Sequence, residues 1–287
     1  MKVKEQVVKT IEPFDMCNDS LFKSIFRSIE ARKVVINFLS AITGIEKERL
    51  EKAEIHGGDI AKTKVTEKAK ASDVMVKLNE QEKIIVEIND YYNSNQFEKN
   101  TEYAFSVIVE STKSKKKYSK IILINIDNFN KFKTKKPILH FKLRDEDGNI
   151  ENESYNSIHL ILDNCVNKLY NQNIDEEIIK FSKFLKTTTL DDMKKVFKGD
   201  EDYMAAVRKV EDLSTDPEFI GYYDVEEAHK QEVEDAYDSG TQIGFEKGRE
   251  DGISQRNIEI AKNMLLKDID LNTISECTNL SIEELKS

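Results

Sequence analysis

The sequence predicts an α/β fold, and three observations carry that prediction. Stretches alternating at the strand period are separated by stretches of helical period through the first half of the chain, an interleaving that marks α/β architecture. Two of the alternating stretches, Ser72–Leu78 and Lys83–Asn89, flank the turn-forming Asn79-Glu80-Gln81-Glu82 and so form a hairpin. From Asp175 onward helical periodicity dominates, broken at Ser214-Thr215-Asp216-Pro217.

Taken in order, helices are expected over 19–29 and 31–43, the second stopped by Gly44, a residue free to adopt the left-handed conformation that ends helices. His56-Gly57-Gly58-Asp59 is expected to be a turn. The hairpin follows, then a helix over 95–111 and strands over 121–126, 138–143 and 158–162. Asp145-Glu146-Asp147-Gly148-Asn149 supplies the turn before the last strand.

The hairpin carries the chemistry. Val74, Val76 and Leu78 on the first arm and Ile84, Val86 and Ile88 on the second form one apolar face. Asp73, Met75 and Lys77 then share the other face with Ile85, Glu87 and Asn89, provided that paired positions sum to an even number. An odd sum would put the two acids on opposite faces. Side by side, Asp73 and Glu87 suggest a divalent-metal site, although an acid on an exposed strand face is more often only solvated.

The flanking residues sharpen this reading. An Asp-x-x-Phe-Lys helix, Asp19-Ser20-Leu21-Phe22-Lys23, precedes the hairpin, and Lys99-Asn100-Thr101-Glu102-Tyr103 follows it. This order of helix acid, lone strand Asp, Glu-x-Asn and basic-Asn-x-x-Tyr resembles the Rpn-type PD-(D/E)XK nucleases, known as recombination-promoting nucleases or transposases. Later stretches extend the likeness: Ser157–Leu162, the helical segment Ala206–Lys230, and a tail with a glycine ladder and a terminal Ile-x-x-x-Thr-x-Leu-Ser pattern.

The resemblance implies a restriction-endonuclease-like core with a C-terminal helical extension, and metal-dependent cleavage of double-stranded DNA. Asp73, Glu87 and Asp19 would be the metal ligands. Mg²⁺ is the expected ion, with Mn²⁺ as a substitute, because hard cations take carboxylate oxygens. Asn89 stands where the wider superfamily has a catalytic lysine; an amide donates a hydrogen bond but brings no positive charge, so slow turnover or a replacement cation is expected. Lys77, on the strand face of Asp73, and Lys23, one helical turn from Asp19, are the candidates, with Lys77 read first as a cross-strand surface charge. Asn100 and Tyr103 enter as supporting residues through the family pattern alone.

Charge divides unevenly. Residues 1–170 hold 29 Lys plus Arg against 26 Asp plus Glu, and residues 171–287 hold 15 against 28. The net charge of -10 therefore belongs to the tail. Lys113, Lys115, Lys116, Lys117 and Lys120 precede a strand and Lys131, Lys133, Lys135 and Lys136 follow it, placed either for phosphate contact or for simple solvation.

The expected organisation is a nuclease-like domain over 1–170, a helical extension over 171–238, a connector over 239–256 and a small helical tail over 257–287. Gly240, Gly244, Gly248 and Gly252 weaken a helix by about 1 kcal/mol each relative to Ala. A flexible acidic connector is the preferred reading, with a helix–helix contact in a homodimer as the other. In the tail, Asn279 suits a left-handed turn and Ser281 with Glu284 a capping box. A helix-turn-helix follows, but its last helix is too acidic for a DNA reader, and packing or oligomerisation is preferred.

Cys17, Cys165 and Cys277 show no paired spacing and read as reduced thiols of a cytoplasmic protein. The four histidines show no zinc spacing. No apolar run reaches the ~20 residues of a membrane span, and no signal segment opens the chain. Against the nuclease reading stands a second one: a nuclease-derived protein without useful cleavage, kept for binding DNA or a protein partner.

Overall fold

The computed structural model describes residues 11–59, 71–92, 95–113 and 120–286. Its element order is α1 (Asp19–Phe26), α2 (Arg32–Thr43), α3 (Lys47–Glu51), β1 (Glu54–Asp59), β2 (Ala71–Lys77), β3 (Glu82–Asn89), α4 (Gln96–Lys113), β4 (Lys120–Asp127), β5 (Ile138–Lys142) and β6 (Tyr155–Ile161). Seven helices follow: α5 (Leu162–Val166), α6 (Glu176–Lys186), α7 (Leu190–Val196), α8 (Glu201–Thr215), α9 (Pro217–Leu265), α10 (Leu271–Thr278) and α11 (Ile282–Lys286). The mixed α/β architecture and the helical C-terminal region agree with the sequence.

Six strands form one sheet in the order β1-β2-β3-β4-β6-β5. β1, β2 and β3 are antiparallel, whereas β3, β4 and β6 run parallel, so α4 crosses over between β3 and β4. Val74 pairs with Val86 and Lys77 with Lys83; both sums are even, and residues 78–82 make an odd loop. Asp73 and Glu87 therefore share a face.

Each face has its own apolar core. Val74, Val76, Ile84, Val86, Ile124 and Leu160 pack under Phe22, Phe26, Phe38, Phe181 and Phe184 from α1, α2 and α6. On the opposite face, Met75, Ile85, Ile121, Leu123 and Tyr155 pack under Tyr103, Ala104 and Val107 of α4. Strands buried on both faces explain the near-continuous apolar runs of β3 and β4.

One sequence expectation changes here. His56–Asp59 is not a turn but the end of β1, and the pairing register with β2 shifts between His56 and Gly58. A Cβ at Gly57 would meet the Arg27 guanidinium at 3.0 Å. Glycine at this bulge serves a close approach, which composition alone does not distinguish from a turn.

One compact unit ends at Glu226, so α6, α7 and α8 share the main core, and a second spans Glu227–Ser287. The glycine ladder, expected to be a flexible connector, lies inside the continuous helix α9, and a Cβ at Gly240, Gly244, Gly248 or Gly252 would meet nothing within 4 Å. No proline follows Pro217, and Gln242, Glu246, Lys247, Arg249 and Glu250 between the glycines are good helix formers that work against the weakening by glycine. In the second unit Asn279 closes α10 at φ 59, and Ser281 and Glu284 exchange capping-box hydrogen bonds. Among the described residues no helix is long and apolar enough to cross a membrane. Cys17 and Cys165 are buried free thiols and Cys277 is an exposed one.

Candidate active site

The pairing of β2 with β3 stops at Val74 and Val86, and the acids sit just beyond, where the two strands part. Side chains replace the missing ladder. The Ile88 N–H donates to Oδ2 of Asp73 at 2.8 Å, and the Asp73 N–H donates to the Glu87 carboxylate. Arg27, passing over Gly57, donates from Nη2 to the Asp73 carbonyl. These bonds hold Asp73 and Glu87 in a fixed relation at the edge of the α4 face.

α1 brings the remaining charges. Asn18 caps it, its side chain accepting from the Leu21 N–H, and Phe22 and Phe26 anchor its apolar side. Asp19 and Lys23, one turn apart, form an ion pair on the side toward the sheet, and Nζ of Lys23 lies 3.3 Å from Oδ1 of Asp73. Glu226, from the start of α9, accepts the backbone N–H groups of Asp19 and Ser20 at 2.8 and 2.9 Å. A carboxylate on the positive end of a helix is favourable, and here it fixes the helix that carries Asp19 and Lys23. Sequence reasoning placed Glu226 in a helical segment but gave it no role.

Burial sets the electrostatics. Desolvation and the Asp19 carboxylate push Asp73 up to about 7, against the pull of Lys23. Burial, and then repulsion from Asp73, raises Glu87 well above the usual carboxylate range. Burial works against the charge of Lys23, but Asp73 and Asp19 outweigh it and raise its pKa. Two acids that resist ionising together form a place where added positive charge is favoured.

The other candidates lie elsewhere. Lys77 stands four residues along β2 from Asp73, about 13 Å at strand spacing, and pairs with Glu80 of the turn at 2.7 Å. Tyr103 is buried in the apolar core beneath α4. Asn89 shares the face of Glu87, but its amide turns away from the acids: Nδ2 donates to Asp127 at 2.8 Å and to Asn125 at 3.3 Å, while Oδ1 accepts from Asn100 at 3.2 Å. Both of its N–H bonds are thus engaged.

Those contacts belong to a closed ring of buried polar side chains. Asn100 donates to Asn125 at 2.8 Å, Asn125 lies 3.4 Å from Nε2 of His159, and Nδ1 of His159 lies 2.8 Å from Asp127. Asp127 and Asn100 both bond Asn89, which closes the circuit. All five side chains lie on the α4 face at the carboxyl ends of the parallel strands, where open α/β sheets place their ligands. The histidine–aspartate pair joins β4 to β6 across 32 positions, so sequence spacing held no sign of it.

A family model described as PD-(D/E)XK nuclease family transposase matches residues 16–239. The chain belongs to that family. No curated protein and no solved structure matches. PD-(D/E)XK nucleases act on nucleic acid and use divalent metals, and the oxygen donors of Asp73, Glu87 and Asp19 fit a hard cation. Among the described residues, the group of three His, Cys, Asp or Glu ligands whose donor atoms all lie within 4.8 Å of one another is Asp15, Cys17 and Asp90, not Asp19, Asp73 and Glu87; its thiol suits softer ions.

Proposed function

We propose that the chain is a Mg²⁺-dependent endonuclease of the Rpn recombination-promoting type, cleaving double-stranded DNA by water attack on a phosphodiester. The observation that carries this reading is the acid pair, half-buried Asp73 and buried Glu87, with raised pKa and the Lys23 ammonium against Asp73.

When bound, a hard divalent cation would neutralise phosphate charge and lower the pKa of an attacking water. Asp73 and Glu87 would hold it, with Asp19 at the solvent side, where its side chain is 42% exposed. Lys23 provides the positive charge that the superfamily places at the position of Asn89. It is tethered to Asp19, so it can follow that carboxylate and orient a phosphate oxygen or water. Asn89, Asn100 and the Asp127–His159 pair keep the end of β3 rigid beside Glu87. Mn²⁺ would serve in place of Mg²⁺.

The test is nicking of supercoiled plasmid in Mg²⁺, in Mn²⁺ and in EDTA. Metal-dependent nicking supports the reading. Its absence with both ions favours the second reading, a nuclease-derived binding protein, for which the engaged amide of Asn89 is the specific observation.

A further inference from the structure

Beside the polar ring lies an aromatic patch that the acid site does not use. Phe97 of α4, Phe132 of the loop after β4, and Phe141 of β5 stand edge-on to His159, with centroids at 4.7, 5.1 and 5.3 Å. Phe97 and Phe132 are parallel within 2° at 5.9 Å, and Phe129 and Tyr92 continue the array. Because Asp127 fixes the imidazole, the rings that pack on it are held in set orientations.

The patch is open and positively charged. Phe132 is 37% exposed, Phe141 43% and Tyr92 43%, whereas phenylalanine is ordinarily an interior residue. Residues 128–137 contain four lysines and no acid. Nζ of Lys131 lies 4.5 Å from the Phe97 centroid, and among the described residues Lys133, Lys135 and Lys136 form no ion pair. Rings interleaved with free ammonium groups are the arrangement that takes an unpaired base on its face and the adjoining phosphates on its charges.

We propose that this patch is a stacking site for an unpaired nucleobase, so that the preferred substrate is nucleic acid with a base out of the duplex: a single-stranded tail, a bulge or a flipped nucleotide. The inference rests on the nuclease reading for the kind of partner. Position favours it as well. Glu87 aligns with Asn125 and Asn125 with His159 across neighbouring strands, so the rings begin about two strand spacings, ~10 Å, from the acid pair and on the same face. A base held there would be within a few nucleotides of the cleaved bond. Stacking on bare rings reads no sequence, since every base has a π-face.

Binding of the full chain to fluorescein-labelled DNA in EDTA, followed by anisotropy, tests this apart from cleavage. The probes are a single strand, its blunt duplex, and that duplex with one bulged base. Wild type is expected to bind the strand and the bulged duplex more tightly than the blunt one. Phe132→Leu, which keeps the apolar volume but removes the ring, should weaken the first two by about 5- to 150-fold, the range of one lost stacking contact, and spare the blunt duplex. Phe132→Tyr should retain wild-type binding, and Phe141→Leu with Phe141→Tyr repeats the comparison at the second exposed ring. Equal behaviour of the Leu and Tyr variants, or no preference of wild type for unpaired bases, overturns the proposal. Because no cleavage is read, a chain that nicks plasmid can still fail here and one that does not can still pass.

Discussion

Nζ of Lys23 lies 3.3 Å from Oδ1 of Asp73, and the same ammonium is paired with Asp19. The positive charge nearest the acids therefore comes from α1 and not from β3. Lys23→Met keeps the length of the side chain and removes the charge. It should reduce metal-dependent nicking by about 10²-fold or more, the usual cost of losing one electrostatic stabiliser of the transition state, with duplex binding retained. Nicking rates measured beside binding in EDTA check this; an unaffected rate would return the role to another cation.

Asn89→Lys tests the opposite side of the same point. Asn89 is buried, and its amide bonds Asp127, Asn125 and Asn100. Putting lysine there would break the ring before it could help the chemistry, so the variant should melt lower than wild type and nick no faster. Faster nicking would show that the superfamily arrangement fits here after all.

The ring itself should be measurable as stability. His159→Leu leaves a buried Asp127 oxygen without its partner, and a cost of about 1–3 kcal/mol in urea unfolding is expected. A change confined to activity, with unfolding unaltered, would contradict the structural role given to the ring.

The metal-free protein should respond to pH through Asp73. A carboxyl whose folded pKa rises from 3.8 to about 7 contributes stability that is fully present below about 4 and lost as pH rises through 7, because ionising it in the folded state is penalised. In EDTA, the melting temperature of wild type should fall relative to that of Asp73→Asn between about pH 4 and pH 7. Parallel melting curves across that window would show that Asp73 is not strained by burial.

Much of the site was legible in the sequence because it rests on local rules. Alternation defined the faces of β2 and β3 and helical spacing brought Lys23 to Asp19, but the sequence left open whether Asp73 and Glu87 share a face: residues 79–82 alone make an even turn, and the pairing of Lys77 with Lys83 extends the loop to the odd 78–82. Alternation also put Lys77 on the face of Asp73, but it says nothing of distance along a strand, and Lys77 serves the turn. Contacts made across the fold were beyond reach: Asp127 with His159, Glu226 with the start of α1, and Arg27 over Gly57. Of the lysine clusters, Lys115–Lys117 lie outside the described residues, whereas Lys131–Lys136 adjoin the aromatic patch.

The salt response of DNA binding follows from that second cluster. Each phosphate neutralised by lysine releases counterions, so duplex affinity should fall steeply with salt, and removing residues 239–287 should not weaken it. Affinity indifferent to salt would leave these lysines as solubilising charges only.

The most direct measurement compares wild type with Glu87→Gln in Mg²⁺-dependent nicking of supercoiled DNA. The amide keeps volume and hydrogen bonding but removes one of the charges that would hold the ion. Wild type should nick and the variant should not, while the variant binds DNA as well or better because repulsion of phosphate is reduced. Equal nicking by the two proteins would contradict the assignment of Asp73 and Glu87 as the metal-binding acids.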